Sequence, residues 1–301
     1  MTLAIDISGI TKRYGSITAL DDVSFSVEKG ELFGLIGPDG AGKSSLYRIL
    51  ATLMSPDGGT ATLRGLDVVK DYARVRTLIG YMPERFSLYQ DLTVAENLRF
   101  FASLFGVSIK ENYDIIAPVF AQLEHFPNRK AGALSGGMKQ KLALSCALIH
   151  RPDILLLDEP TTGVDAVSRS EFWDMLSQLR EKGITILVST SYMDEATRCE
   201  KIALINKGKI FGVNTPSGLV AGLDENLYNA SSSHMFELLN QLRSLPEVEQ
   251  CYTFGATLHV VGNKDFNPMH VVEKLRLEGL TDVRIYPAKG DIEDLFIKLT
   301  Q

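Results

Sequence analysis

A glycine-rich stretch between an apolar run and a helical pattern constrains this 301-residue chain more than any other feature. The stretch consists of Gly37, Pro38, Asp39, Gly40, Ala41, Gly42, Lys43 and Ser44, and it fits G-x-x-x-x-G-K-[ST]. The run LFGLI before it predicts a strand, and KSSLYRILATLM from Lys43 predicts a helix. In such a unit the backbone N–H groups and the helix N-terminus point at one anion. We expect a phosphate-binding loop; the alternative is a glycine-rich turn without function.

The side chains of this loop fit a nucleotide bound with magnesium. Lys43 supplies a mobile cation for phosphate oxygens, and Ser44 offers its hydroxyl to Mg²⁺, which needs only one or two protein oxygens. Ser45 is the next residue and is included in the predicted nucleotide site.

Two carboxylates, Asp158 and Glu159, end the apolar run ILLL. Buried acids are unfavourable unless they face a metal or a partner. We therefore assign Asp158 to Mg²⁺ coordination and Glu159 to polarising the attacking water, because phosphoryl transfer needs a positioned base. A strand that merely ends at solvent is the alternative for this run alone.

Apolar runs alternate with helical patterns along most of the chain. ILLL, ITILVS and IALI indicate parallel strands covered on both faces, separated by helices. Helical periodicity dominates from about residue 85 to 150 and predicts a helical subdomain. The pattern changes at about residue 224. The predicted fold is an α/β domain over residues 1–223, followed by a small α+β domain over 224–301.

Composition excludes several classes of protein. A net charge of −6 and a pI near 5.5 give no basis for general nucleic acid binding, so no nucleic acid partner is expected. The cysteines, Cys146, Cys199 and Cys251, suit neither a disulfide framework nor a metal site, which favours the cytosol. No run approaches the roughly 20 apolar residues of a membrane helix. Any membrane role is therefore expected to come from a partner.

The segment Leu134-Ser135-Gly136-Gly137-Met138-Lys139-Gln140 resembles the LSGGQ signature of ABC ATPases. Together with the phosphate loop and the paired carboxylates, the resemblance covers residues 1 to about 223. A serine and two glycines that open a helix form a second anion site, although a lone SGG is more often a helix cap. The resemblance implies a P-loop NTPase fold of the ABC ATPase type with a helical subdomain.

The resemblance also implies a dimer that binds ATP and Mg²⁺. In this family two subunits face head to tail, and each ATP lies between one phosphate loop and the opposite signature. Asp165, in the segment TGVD, matches the loop that communicates across that interface. Tyr14 matches the aromatic residue on which adenine stacks, with a plain surface aromatic as the alternative.

Two positions depart from the family pattern. Glu84 stands where the family has a glutamine that ligates Mg²⁺ and senses the membrane subunit, and its carboxylate is a candidate ligand of the same metal. Gln90 is not its equivalent. Ser191 stands where the family has a histidine that contacts the γ-phosphate, and serine cannot carry positive charge. We expect firm MgATP binding and slow hydrolysis at this site. This asymmetry favours pairing with a different ATPase subunit, while a homodimer remains open.

The five histidines are expected to have structural or surface positions. They are His125, His150, His234, His259 and His270.

The end of the chain, Asp294 to Thr300, looks like the D-[LV]-F-x-x-L-T ending of subunits that serve ABC-2 type exporters. With the segments 80–83 and 91–97, it is similar to the bacterial drug-resistance and multidrug exporter subfamily. Phe296 and Leu299 are expected to be core contacts.

In this subfamily a groove between the helical subdomain and the Glu84 loop receives a coupling helix from an integral membrane permease. Phe86, Leu88 and Tyr89 are candidate wall residues of that groove, or they are buried within the subdomain. Such a subunit is cytoplasmic and peripheral at the inner face of the cell membrane.

The predicted function is an ATPase that powers a membrane exporter, with an ATP-gated regulatory module of little turnover as the alternative. A non-transport ABC ATPase of translation or DNA repair would show two such domains with a charged linker, or a long coiled-coil insertion. A small-molecule kinase or GTPase is least favoured, because LSGGM would then have no role.

Overall fold

The computed structural model describes residues 2–221, 223 and 226–300. The chain forms two compact units, Met1–Pro216 and Ser217–Gln301. The boundary predicted from the sequence involves residue 224, which lies outside the described residues. A search of the described helices finds none with the length and apolar character needed to span a membrane.

The described residues of the first unit contain ten strands. They are β1 (Leu3–Tyr14), β2 (Ile17–Glu28), β3 (Leu32–Ile36), β4 (Gly58–Leu63), β5 (Leu66–Asp67), β6 (Ile79–Met82), β7 (Ile154–Asp158), β8 (Thr185–Thr190), β9 (Lys201–Asn206) and β10 (Lys209–Asn214). Its α-helices are α1 (Lys43–Leu50), α2 (Tyr72–Leu78), α3 (Val94–Leu104), α4 (Tyr113–Phe120), α5 (Gly136–Leu148) and α6 (Ala166–Glu181). A short helix, α7 (Pro216–Val220), begins at the last residue of this unit.

The main sheet has six strands in the order β10-β9-β3-β8-β7-β6. Its strands run parallel except for β10, which is antiparallel to β9. Every residue of β3, β7 and β8 is buried, which explains why these strands are apolar runs and do not alternate. Because the carboxyl ends of parallel strands meet at one edge, the segments after β3, β7 and β8 lie together there.

A second sheet, β2-β1-β4-β5, is antiparallel. Its apolar face shares one hydrophobic core with α1 and one face of the main sheet. Fully buried Ile5, Leu46 and Leu156 come from β1, α1 and β7 and lie in this core. This packing fixes α1, and with it the loop that precedes the helix.

Helices α3, α4 and α5 form the predicted helical subdomain. Between β6 and β7, the described chain contains no strand beyond a single bridge from Thr93 to Lys130. Helix α3 begins in a capping box: Thr93 Oγ1 accepts from Glu96 N at 3.2 Å, and Glu96 Oε2 accepts from Thr93 N at 2.8 Å. The predicted helical periodicity of this region is confirmed.

The second unit contains β11 (Leu227–Ser231), α8 (Met235–Ser244), β12 (Val248–Phe254), β13 (Thr257–Gly262), α9 (Pro268–Leu277), β14 (Arg284–Pro287) and α10 (Ile292–Thr300). Its sheet has the order β12-β13-β11-β14, and all neighbouring strands are antiparallel. This is a split β-α-β arrangement of the ferredoxin-like type. Residues of α8 and α9, such as Leu238 and Val271, share a core with Leu258 of β13.

Helix α10 is tied to the sheet of this unit by a buried polar cluster. Asp294 is 4% exposed, and its Oδ1 lies 2.6 Å from His259 Nδ1 and accepts from the Tyr252 hydroxyl at 2.8 Å. Phe254 stacks on the His259 ring with centroids 3.8 Å apart. Asp294 is thus a structural residue of the chain ending noted in the sequence.

The expectation that Leu299 is a core residue is wrong, because its side chain is 38% exposed. Leu299 shares a helical face with the buried Ile292 and Leu295, but it lies one turn nearer the end of α10. Phe296 is half-buried.

Replacing Asp294 with alanine should destabilise the second unit by about 3 kcal/mol, because Tyr252 and His259 then lose a buried partner. The free energy of opening can be measured by hydrogen exchange of the β12 and β13 amides in the full chain. Lys298→Ala, at an exposed position of the same helix, is the control and should change it by less than about 0.5 kcal/mol. Equal effects of the two substitutions would contradict a specific role for Asp294.

Candidate functional site

The glycine-rich loop connects β3 to α1, as the sequence predicts. A side chain at Gly37 would collide with the carbonyl of Ile205, and one at Gly42 would collide with the carbonyl of Ala19. Gly42 also has φ 107°, a left-handed conformation that L residues rarely adopt. These close approaches explain why the loop needs glycine at both positions.

Lys43 folds back over this loop and is only 4% exposed. Its ammonium group donates to the carbonyls of Gly37 at 2.6 Å and Pro38 at 2.9 Å. It also lies 2.8 Å from Glu159 Oε1. The cation is therefore held in the loop by groups that phosphate oxygens can replace.

Glu159 follows β7 with φ 52°, an unusual value for a residue with a side chain. The carboxylate is buried, and its Oε2 accepts from the Thr162 hydroxyl at 3.0 Å. The backbone N–H and hydroxyl of Ser191 lie 3.3 and 3.4 Å from the same oxygen. The structure thus places Ser191 beside the carboxylate that the sequence selects as the base.

Asp158 is 2% exposed at the last position of β7. Burial raises the pKa of its carboxyl group, hydrogen bonds from Ser189 and Ser44 lower it, and the charges of Glu159 and Glu84 raise it further. A carboxylate with a raised pKa beside other acids is stabilised by a cation. This environment fits a metal ligand.

A cavity of about 370 Å³ opens in front of the loop. It is lined by Ala19, Asp39, Gly40, Gly42, Lys43, Ser44, Ser45, Glu84 and Glu159. Glu84 follows β6 and is thereby brought to the phosphate loop. Most of the predicted phosphate-site residues therefore share one cavity.

Tyr14 and the signature segment do not line this cavity. Tyr14 is 41% exposed, and its hydroxyl lies 3.0 Å from Met54 Sδ and 3.4 Å from Ser45 Oγ. Its ring is therefore close to the loop and available at the surface, as the predicted stacking role requires.

The signature segment begins α5 and lies next to the start of α6. Ser135 caps α5 by accepting from Met138 N at 3.4 Å, and Asp165 caps α6 by accepting from Ser168 N at 3.0 Å. The backbone hydrogen bond from Ser168 is the main cause of the lowered pKa of Asp165. A side chain at Gly137 would come within 2.8 Å of Ser168 Oγ. The predicted signature and the Asp165 loop thus form one surface.

The residues around the phosphate loop fit a magnesium ion that is bound jointly with a nucleotide. Among the residues that the structure describes, no group of three or more His, Cys, Asp or Glu side chains could hold a metal alone. Mg²⁺ on nucleotide phosphates needs only one or two protein oxygens. Ser44, Asp158 and Glu84 supply candidates for these ligands.

Several residues that the sequence analysis did not select contact the site. The Ser189 hydroxyl contacts both Asp158 and the backbone of Glu159, and Thr162 contacts the Glu159 carboxylate. The buried Glu195 accepts from the hydroxyls of Thr161 at 3.1 Å and Thr190 at 2.6 Å. In the sequence, the polar residues Ser189 and Thr190 at the end of the otherwise apolar strand β8 could have indicated these contacts.

The histidines occupy the expected structural or surface positions. His259 is buried, and His150 is half-buried and stacks on Phe105 with centroids 3.8 Å apart. The remaining three, His125, His234 and His270, are exposed. Within the described part of the chain, none lines the phosphate-loop cavity.

A second cavity, of about 540 Å³, lies between β6 and helices α3 and α5 and is mainly apolar. Phe86 and Leu88 line it, as predicted for the groove, whereas Tyr89 does not. Tyr89 is 51% exposed and packs edge-on against Phe100, with centroids 4.9 Å apart.

A buried parallel sheet, a glycine-rich loop before α1 and two acids at the end of β7 together define a P-loop nucleoside triphosphatase. Comparison with known proteins narrows this class. Residues 20–162 match the family described as "ABC transporter".

Proteins similar along almost the whole chain come from several bacteria. A probable multidrug ABC transporter ATP-binding protein, YbhF of Escherichia coli K12, is 38% identical over 98% of this chain, but the chain spans only 52% of that relative. The Nod factor export ATP-binding protein I of Mesorhizobium japonicum is 35% identical over 99% of this chain and 87% of its own length. The chain therefore belongs to the ABC transporter family of ATP-binding proteins.

Solved structures agree with this assignment. An ATP-binding subunit of an ABC transporter has a TM-score of 0.66 and 28% identity, covering 74% of this chain and 97% of its own. A dimeric ATP-binding cassette in a post-hydrolysis state with ADP and Pi has a TM-score of 0.63 and 26% identity, covering 70% and 98%. The fold is that of the ABC ATPases, a family that hydrolyses ATP.

Replacing Asp158 with asparagine should stabilise the nucleotide-free chain at neutral pH. The fold raises the pKa of Asp158 above its ordinary value of 3.8, so its stabilising contribution is present below that value and is lost as pH rises through the raised pKa. The excess stability of Asp158→Asn should therefore shrink as pH falls below neutral. Thermal unfolding in EDTA across this pH range measures the difference.

The same substitution should reduce the stabilisation by MgATP, because the expected metal ligand is weakened. An Asp158→Asn chain that is less stable than the parent in EDTA at neutral pH would contradict the pKa argument.

Proposed function

We propose that the chain is the ATP-binding and ATP-hydrolysing subunit that powers a membrane exporter of the ABC-2 type. The observation that carries this proposal is the convergence of Lys43, Ser44, Glu84 and Glu159 on one cavity, with Asp158 directly behind it. Relatives described as multidrug and Nod factor export ATP-binding proteins support the direction of transport.

Each group has a defined task in this proposal. Lys43 exchanges its contacts with the Gly37 and Pro38 carbonyls for phosphate oxygens of ATP, and the loop N–H groups bind the same phosphates. Ser44 and Asp158 hold Mg²⁺, which when bound neutralises charge that develops on the phosphates. Glu159, once its ion pair with Lys43 is released, orients the attacking water.

We expect slow ATP hydrolysis at this phosphate loop. Ser191 carries no positive charge to place on the γ-phosphate, and its N–H and hydroxyl instead contact Glu159. Glu84 adds a negative charge to a cavity that receives an anion. Both departures work against the negative charge that develops on the phosphates, and we therefore expect slow hydrolysis.

The signature surface consists of Ser135 to Met138 and the adjacent Asp165 loop. In this proposal it completes the ATP site of a second subunit. Ser135, Gly136, Gly137 and Met138 open α5 outside the phosphate-loop cavity, and the helix N-terminus leaves N–H groups for a phosphate. We therefore favour an asymmetric dimer with a different ATPase subunit, and a homodimer is the competing outcome.

Replacing Ser191 with histidine should raise the ATP turnover of the purified chain by about 10-fold or more, because it restores a donor aimed at developing phosphate charge. Initial rates of phosphate release measure the change. The double variant Ser191→His with Glu159→Gln should lose the gain. Fast hydrolysis by the parent chain, unchanged in Ser191→His, would contradict slow turnover at this site.

The second cavity is the proposed docking site for the permease. It is mainly apolar, and Phe86 and Leu88 in its wall lie two and four residues after Glu84 in the sequence. A helix from a membrane subunit seated there would lie next to a residue of the ATP site, which gives a short route from nucleotide binding to transport. The chain would thereby sit at the inner face of the cell membrane.

Replacing Phe86 with aspartate should release the chain from membranes, because it places a charge in an apolar contact. ATP binding should stay within about twofold of the parent, since Phe86 lies outside the phosphate-loop cavity. Membrane flotation measures the association. Phe236→Asp, at a position 79% exposed in the second unit, is the control and should remain membrane-bound. Retention of Phe86→Asp on membranes would contradict docking at this cavity.

An ATP-gated regulatory module with little turnover is the second candidate, and it is favoured by Glu84 and Ser191. Purification from solubilised membranes distinguishes the two. Recovery of an integral membrane subunit together with a second ATPase that carries glutamine and histidine at the corresponding positions would support the exporter. Recovery of the chain with neither would support the regulatory module.

A further inference from the structure

We propose that Ser189 is a positioning residue that holds Asp158 and Glu159 in one arrangement for MgATP. This inference rests on the proposed function, because it assigns Asp158 to the metal and Glu159 to the attacking water. The sequence motifs do not include Ser189, and this buried residue does not line the cavity.

A single hydroxyl group contacts both acidic residues. The Glu159 backbone N–H donates to Ser189 Oγ at 3.0 Å, and Ser189 Oγ donates to Asp158 Oδ1 at 2.8 Å. An N–H group can only donate, so the hydroxyl accepts from Glu159 and its one proton is free for the carboxylate. The two hydrogen bonds therefore have a fixed direction.

Sheet register places Ser189 where this double contact is possible. Asp158 and Ser189 are paired residues of the parallel strands β7 and β8, so both side chains lie on the same face of the sheet. Thr190, the next residue, serves a different acid, because its hydroxyl donates to Glu195. The hydroxyl groups of Ser189 and Thr190, at the end of β8, therefore donate to different acids.

Because Ser189 and the two acids are buried, loss of the hydrogen bonds between them should have a large effect. Ser189 is 0% exposed, Asp158 2% and Glu159 5%, so water does not readily replace a missing hydrogen bond. Glu159 also has a left-handed backbone, which persists only where its surroundings hold it. Without the hydroxyl, Asp158 keeps its hydrogen bond with Ser44 but loses the one that ties it to β8, and the Glu159 N–H loses its partner.

The decisive experiment measures the binding of a fluorescent ATP analogue to the full chain, once with Mg²⁺ and once with EDTA. Ser189→Ala should weaken binding with Mg²⁺ by about 10-fold, the lower end of the effect of removing a partner that orients a metal ligand. Binding with EDTA should stay within about twofold, because the phosphate loop is unchanged.

Ser145→Ala is the matched control. Ser145 is also 0% exposed, but its hydroxyl donates to the Lys141 carbonyl at 2.8 Å within α5, so its loss should leave both affinities unchanged. Thermal unfolding of both variants in EDTA confirms that they are folded at the assay temperature.

Each other outcome overturns the proposal. A Ser189→Ala chain with parental affinity in Mg²⁺, or with equal losses in Mg²⁺ and EDTA, would show that the hydroxyl does not act through the metal ligand. Failure of the parent chain to bind the analogue under either condition would instead refute the proposed function, and this inference with it.

Discussion

The buried contact between Lys43 and Glu159 is the interaction on which the nucleotide site depends. It joins the loop after β3 to the end of β7, across a sheet whose parallel strands bring both segments to one edge. Lys43 is 4% exposed and Glu159 5%, and removing one partner of such a pair typically costs about 3–5 kcal/mol because the other charge stays buried. Nucleotide phosphates can replace the Glu159 carboxylate beside Lys43 only if they supply an equivalent negative charge. The contact therefore joins the same two residues that the proposed chemistry needs.

Much of this site could be predicted from the sequence because its residues follow fixed local rules. The phosphate loop needs glycine where backbone carbonyls approach, as at Gly37 and Gly42, and lysine at the start of the next helix. The buried strands are recognisable as apolar runs. These are properties of short segments, so a linear pattern is enough to find them.

The remaining contacts depend on the register between strands and could not be derived from a linear pattern. Ser189 is 31 residues from Asp158 along the chain, and only the β7–β8 pairing brings them together. Strand β11 could not be predicted from its segment LYNAS, which buries only Leu227 and Ala230 and shows no strand alternation. The exposed Leu299 shows a second limit of prediction from sequence. Helical spacing predicts which residues share a face, but not how far along the helix that face is packed.

The close approach of α5 and α6 has a consequence for how the signature surface can vary. A methyl group at Gly137 would lie 2.8 Å from Ser168 Oγ and 2.9 Å from Ser168 Cβ, so position 137 can enlarge only if position 168 shrinks. Ser168 also supplies the N–H that Asp165 caps. A compensating change at 168 must therefore remove the Cβ and still preserve the backbone of α6, as glycine would. Positions 137 and 168 should behave as mutual suppressors in a genetic screen, even though they belong to separate motifs.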